Sequence, residues 1–245
     1  MINITLPDGS VREYTSGVTA HEIALSISEG LARNVLSAVV NEEVWDSNRP
    51  ITESSEVKLL TWNDEKGKET LWHSSAHLMA EAIQHFYPET KFAIGPPIEN
   101  GFYYDIDLGG KTISDSDFKK LEDKMLELAR QKNNFVRKDV PKKEAIDYFT
   151  KKNDEYKLEL LQDLKDGEIT FYTQGEFTDL CRGRHLPNTS SIKAVKITST
   201  AGAYWRGDEI VNNLLVCMES HSLKQKSSRS IITCLKKQRN GIIVN

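Results

Sequence analysis

Three cysteines in 245 residues, Cys181, Cys217 and Cys234, are too few and too scattered for a disulfide framework, which fits a reducing compartment. No apolar run approaches the roughly 18 residues of a membrane span. The start, MINITLPDGS, lacks the basic-then-apolar profile of a secretory signal. A cytoplasmic protein with no membrane partner is therefore expected. Histidine is also scarce, at six residues. Positive charge is short over most of the chain: residues 1–210 carry 26 Lys+Arg against 35 Asp+Glu, whereas residues 211–245 carry six against one. The last 35 residues are compositionally a different object. With 38% hydrophobic and 28% charged residues the chain has room for one large or two smaller cores.

What the chain does have is a concentration of its rare residues. Four of the nine His and Cys lie in two pairs, His73 and His77 in HSSAH, and Cys181 and His185 in CRGRH. Each pair is spaced i, i+4, which on a helix puts both heads on one face within about 6 Å. If the pairs face each other, three imidazoles and a thiol surround one point. Such a set holds zinc or positions a water against an ester. A lone histidine on an apolar helix face is ordinarily a core residue, and Leu78, Met79, Ala82 and Ile83 make part of this helix core.

The expected fold class is α+β, in two domains and a tail. INITL, PDGS and VREY read as a hairpin. Thr19 caps a helix with Ile23, Ala24 and Ile27 at helical spacing and Gly30 near its end, and strands return at VLSAVV and VKLLTW. Hairpin, helix and returning strands over residues 1–62 suggest a small β-grasp, ubiquitin-like module, serving as a spacer or as a binding unit. NDEKGK, residues 63–68, reads as a linker. A histidine helix is expected over 69–86, a Gly/Pro-broken segment FAIGPPIENGFYYDI after it, and the clearest helix at 114–132 with Phe118, Leu121, Met125 and Leu128 as its buried stripe. Helices at 142–151 and 154–163, one strand through ITFYTQGEFTDLC, and VKITST and GAYWRG complete a mixed α/β domain with an antiparallel sheet.

The ordered set HSSAHLMAEAI, FAIGPPIENGFYYDI, DEYKLELL, FTDLCRGRHLPNT and AGAYWRGD, within residues 1 to about 209, resembles the N-terminal half of a threonyl-tRNA synthetase. The resemblance implies a TGS domain over 1–62 and an editing domain over 69–209 that removes serine wrongly attached to tRNA-Thr. It implies His73, His77, Lys157, Cys181 and His185 as the catalytic set, with Tyr104 and Asp179 binding substrate. In this reading His73 positions the water, Lys157 assists electrostatically, and His185 and Asp179 shape the pocket floor and read the amino group. The partner is the acceptor end of tRNA-Thr. Editing in the family needs no cofactor, whereas the related alanyl-type domains resemble zinc sites. A zinc here would take His73, His77, Cys181 and His185, and the metal-free reading is preferred because a catalytic pocket must leave room for substrate.

Two departures from the family pattern stand out. Arg184 replaces the proline of CRGPH, which loosens φ before His185 and is expected to shift the imidazole. After Glu209 the family continues toward a catalytic domain with ATP, threonine and zinc sites, and none of that pattern follows; the family dimerises mainly through that region, so a homodimer is not expected. Residues 210–245 read as a basic, poorly ordered tail. Back-translating from Cys217 and reading from the third base of each codon yields YGITFPKAKELTEYYNLLEEAKKRDHRK, which resembles the family's continuation and points to a frameshift near Glu209–Asn212. Two other readings stay open: a non-catalytic RNA-associated module with a structural His/Cys metal site, and the inert product of a disrupted gene.

Overall fold

A computed structural model describes residues 1–98, 101–205 and 208–217, with 203–205 and 208–217 described by their backbone alone. The N-terminal unit is a five-stranded sheet in the spatial order Val11–Tyr14, Ile2–Thr5, Ser55–Leu60, Ser37–Val40, Glu43–Asp46. Its middle pair, Ile2–Thr5 and Ser55–Leu60, runs parallel, and every other neighbour is antiparallel. Helix α1 (Ala20–Ile27) starts at Thr19, which forms a capping box with Glu22. It lays Ala20 and Ile23 on Ile2, Ile4, Val40, Ile51 and Val57. The β-grasp expectation holds. Gly30 does not close α1; Ser28 ends that helix and caps a second, α2 (Glu29–Asn34), in which Gly30 lies.

The expected linker is largely helix. α3 runs unbroken from Glu65 to Phe86, four residues earlier than expected. Asp64 turns its carboxylate back to accept from the Thr61 amide at 3.0 Å, and a Cβ on Gly67 would stand 2.1 Å from the Thr61 carbonyl oxygen. The polar composition of NDEKGK thus reflects a helix start pressed on the preceding strand rather than a free connection.

The second unit holds two antiparallel sheets. One has the order Lys196–Trp205, Asp208–Cys217, Gly101–Asp107, Lys91–Phe92, with Pro97–Ile98 also pairing onto Gly101–Asp107. The other comprises Val136–Asp139, Thr170–Gln174 and Phe177–Leu180. The run expected as one strand is therefore a hairpin turning at Gly175 and Glu176, because Gly175 takes a φ of +50° that ends the first strand. α4 (Asp115–Gln131) buries Phe118, Leu121, Met125 and Leu128 as expected and is opened by a Ser114–Asp117 capping box. α5 (Lys142–Lys151) and α6 (Glu155–Gln162) follow.

The main core gathers α3 and α4 against the first sheet, and Leu36 of the N-terminal unit belongs to it. The Thr70 hydroxyl donates to Ser37 Oγ at 3.0 Å across the same junction. Burial of this apolar surface, worth about 25 cal/mol per Å², fixes α3 between the two units.

The tail boundary at 210 moves. Residues 208–217 are a strand paired on both sides, Phe102 opposite Val216 and Thr200 opposite Leu214, so its backbone is held by two ladders. The rest of the tail, 218–245, lies outside the described residues, and the frameshift reading of it with them. None of the described helices is long and apolar enough to cross a membrane.

Candidate active site in the second unit

α3 carries His73 and His77 on one face, and their rings stand 5.2 Å apart. The strand Phe177–Leu180 delivers Asp179 and leads into Cys181, and the loop after it returns His185 to the same point. His185 lies 4.4 Å from the His73 ring and 4.3 Å from the His77 ring. Cys181 Sγ is 3.4 Å from His73 Nε2 and 3.2 Å from His185 Nε2. One ligating atom from each of the four fits within 4.8 Å of the others. The two pairs do face each other, and the His185 imidazole that follows Arg184 lies within the cluster.

A second cluster adjoins the first. Lys157, from α6, donates to Asp179 at 2.7 and 2.8 Å, and the Tyr104 hydroxyl donates to Asp179 Oδ2 at 2.5 Å. All three are buried. Tyr104 sits on the strand Gly101–Asp107 and is covered by the FAIGPP loop, where a Cβ on Gly95 would meet the tyrosine ring at 2.6 Å. The glycine there is what lets the loop close over the phenol.

Between the clusters lies a cleft of about 390 Å³ lined by His73, His77, Tyr104, Lys157, Asp179 and Cys181, with Arg182 and Arg184 exposed at its rim. Six of the seven residues expected from sequence thus line one cavity. The seventh does not. His185 is 0% exposed and sits behind Cys181, stacked on Phe135 at 4.9 Å. It is too enclosed to read a substrate amino group, and it supports the floor from beneath.

Hydrogen bonding fixes the ring of His185. Ser74 Oγ donates to the Thr70 carbonyl at 2.8 Å and accepts from the Leu186 amide at 2.9 Å, while lying 3.2 Å from His185 Nδ1. Nδ1 is then the protonated nitrogen, and Nε2 turns its lone pair toward the Cys181 thiol. The backbone of His185 is held separately: its amide donates to Asp46 Oδ1 at 2.6 Å, and the Tyr172 hydroxyl donates to Asp46 Oδ2 at 2.6 Å. Ser74, Phe135, Tyr172 and Asp46 were not anticipated from sequence. Each is a common residue in an ordinary local pattern, and its partner is distant in the chain.

Burial governs the charges. It drives His73 and His77 down to about 3, helped at His73 by the neighbouring His77 and at His77 by the Lys157 ammonium. His185 is lowered for the same main reason. Burial pushes the Cys181 thiol up to about 12. At neutral pH the cluster is three neutral imidazoles and a thiol.

This donor set fits zinc: neutral imidazoles and a cysteine are its ordinary ligands, and His77 Nδ1 is buried without a hydrogen-bond partner. His73, His77, Cys181 and His185 would hold the ion, and four protein donors would make it a closed, structural site.

Residues 2–61 match the TGS domain, and residues 169–214 match the threonyl and alanyl tRNA synthetase second additional domain. The chain is 59% identical over 239 residues to a threonine--tRNA ligase of Cytophaga hutchinsonii, covering 98% of this chain and 37% of that protein. It is 61% identical over 209 residues to that of Parabacteroides distasonis, covering 85% and 32%. This chain is homologous to the N-terminal region of threonine--tRNA ligases. It spans about a third of the length of the curated relatives it matches. The threonine--tRNA ligase homology covers both units and the cleft between His73 and Asp179.

Proposed function

We propose that the cleft hydrolyses seryl-tRNA-Thr at the 3′-terminal ribose ester. The observation that carries this is the convergence of a half-buried histidine, His73, with the buried Lys157–Asp179–Tyr104 group across one small cavity. Serine and threonine differ by one methyl, worth only about 1–3 kcal/mol in binding, so a second, size-limited hydrolytic pocket supplies accuracy that binding alone does not.

In the reaction a water held by His73 adds to the seryl carbonyl carbon. Its proton passes to the imidazole as the tetrahedral intermediate forms, the C–O bond to the ribose breaks, and the imidazolium returns the proton to the leaving oxygen. Burial lowers His73, which is therefore neutral at pH 7 with a ring lone pair available. Asp179 counteracts that lowering, favouring the imidazolium when it forms. Lys157 offers positive charge to the developing oxyanion, and Asp179 accepts from the substrate ammonium. Cys181 and His185 keep the His73 ring in place.

The metal-free form is the proposed working state. A zinc taking all four donors would complete a closed tetrahedral set and occupy the His73 lone pair that would otherwise accept a proton from water. Elemental analysis of active protein tests this, one zinc per active chain being the result against it. The acceptor end of tRNA-Thr is the proposed partner, in a cytoplasmic setting. His73→Ala is expected to abolish deacylation of seryl-tRNA-Thr while threonyl-tRNA-Thr stays uncut throughout; retained activity in that variant removes His73 from the reaction.

A further inference from the structure

The N-terminal unit reaches the hydrolytic site through the side chain of Asp46. Asp46 ends the strand Glu43–Asp46, is 7% exposed, and spends both carboxylate oxygens on the second unit. One accepts the backbone amide of His185, 139 residues away, and the other accepts the hydroxyl of Tyr172, 126 residues away, each at 2.6 Å. The Tyr172 ring in turn lies 4.5 Å from the His185 ring. A Cβ added to Gly183 would meet the Tyr172 oxygen at 2.4 Å, so the same phenol also borders the loop between Cys181 and His185.

Asp46 therefore fixes both the backbone that carries His185 and the ring that lies against it. Ser74 fixes Nδ1, Phe135 stacks on the opposite side, and Nε2 faces Cys181. Taking away the carboxylate frees the His185 amide and the Tyr172 phenol together, leaving the loop backbone held at Leu186 by Ser74. Hydrogen bonds from an amide or hydroxyl to a buried carboxylate are short and strong, and a misplacement of about 1 Å at a reacting group can cost about 100-fold in rate.

We propose that Asp46 is a positioning residue of the hydrolytic site, and that the β-grasp unit is thereby a working part of that site rather than a spacer. This rests on the deacylase reading for its kinetic readout but not for its geometric one. Asp46 touches no substrate; it acts through His185 and Cys181 on the placement of His73.

The experiment uses the full chain in four forms: unchanged, Asp46→Ala, Asp46→Asn and Ser37→Ala, the last removing another contact between the units. Each is assayed on seryl-tRNA-Thr and examined by nitrogen–proton correlation NMR at the His185 amide and ring. Asp46→Ala is expected to lower kcat by up to about 100-fold with KM unchanged and to move the His185 amide and ring signals. Asp46→Asn, which keeps an acceptor for the amide, is expected to restore most of kcat, and Ser37→Ala to leave both readouts alone. If Asp46→Ala does not fold, Tyr172→Phe takes its place, removing one of the two bonds. A folded Asp46→Ala protein with unchanged kcat and unchanged His185 signals overturns the proposal, as does a loss equal in Ser37→Ala. Should the unchanged chain itself fail to deacylate, the deacylase reading falls, and the His185 signals alone decide the role of Asp46.

Discussion

Lys157 and Asp179 form an ion pair with both side chains nearly sealed from solvent, 3% and 4% exposed, at 2.7 Å. Among the described residues the remaining ion pairs each have at least one partner substantially exposed. Removing one partner of such a pair strands the other charge in a low-dielectric site, at a cost of about 3–5 kcal/mol. Lys157→Met is expected to lose stability on that scale, and Lys157→Met with Asp179→Leu to recover part of it. Urea denaturation of the three proteins checks this; a single-variant loss below about 1 kcal/mol would mean the pair is hydrated in solution.

The histidine cluster makes stability fall on acidification. His73 and His77 are lowered by burial from 6.5 to about 3, so the unfolded chain binds protons that the folded one refuses. Their contribution is complete above pH 6.5 and is lost as pH falls toward about 3, at about 1.4 kcal/mol per pH unit for each ring. Chelator-treated protein is expected to melt progressively lower between pH 6.5 and 4.5, and the His73→Ala, His77→Ala double variant to show a shallower slope. Equal slopes in calorimetry would contradict the assignment.

Gly67 is expected to resist substitution although it lies in a helix. Alanine there gains about 1 kcal/mol of helix propensity, yet its Cβ would press to 2.1 Å on the Thr61 carbonyl oxygen, a backbone atom that cannot step aside cheaply. Gly67→Ala should therefore destabilise the chain, whereas Glu69→Ala, later in the same helix, should not. Thermal melts of both variants decide it.

Arg182 and Arg184 stand exposed at the mouth of the cleft. If they meet the phosphates of a single-stranded acceptor end, each alanine substitution should lower the slope of log affinity against log salt by about 0.7 and leave kcat nearly unchanged. Binding isotherms of tRNA-Thr at several salt concentrations measure this, and an unaltered slope places the phosphates elsewhere.

Much of this architecture was legible because its signals are local. Phe118, Leu121, Met125 and Leu128 recur at helical spacing and are buried together. His73 and His77 are one turn apart by spacing alone, and the resemblance supplied Lys157, Tyr104 and Asp179, which the cleft unites. The illegible parts depend on long-range partners. Asp46 lies in VWDSNRP, where an aspartate before a turn is unremarkable, and nothing local says that its carboxylate meets His185. The hairpin at Gly175 was hidden by apolar alternation continuing across the turn, and the helical start at Glu65 by a composition shared with linkers. The resemblance implies a substrate-reading role for His185, and the spacing in CRGRH gives its distance from Cys181 but not which way the loop folds.

Because α3 is continuous from its seat on Thr61 to the imidazoles, it behaves as a rod about 12 Å long between Glu65 and His73. Adding a single amino acid to its first turn would rotate both rings by about 100° relative to the β-grasp unit. Chimeras that exchange one unit for a relative's must therefore preserve the register of this joint to the residue.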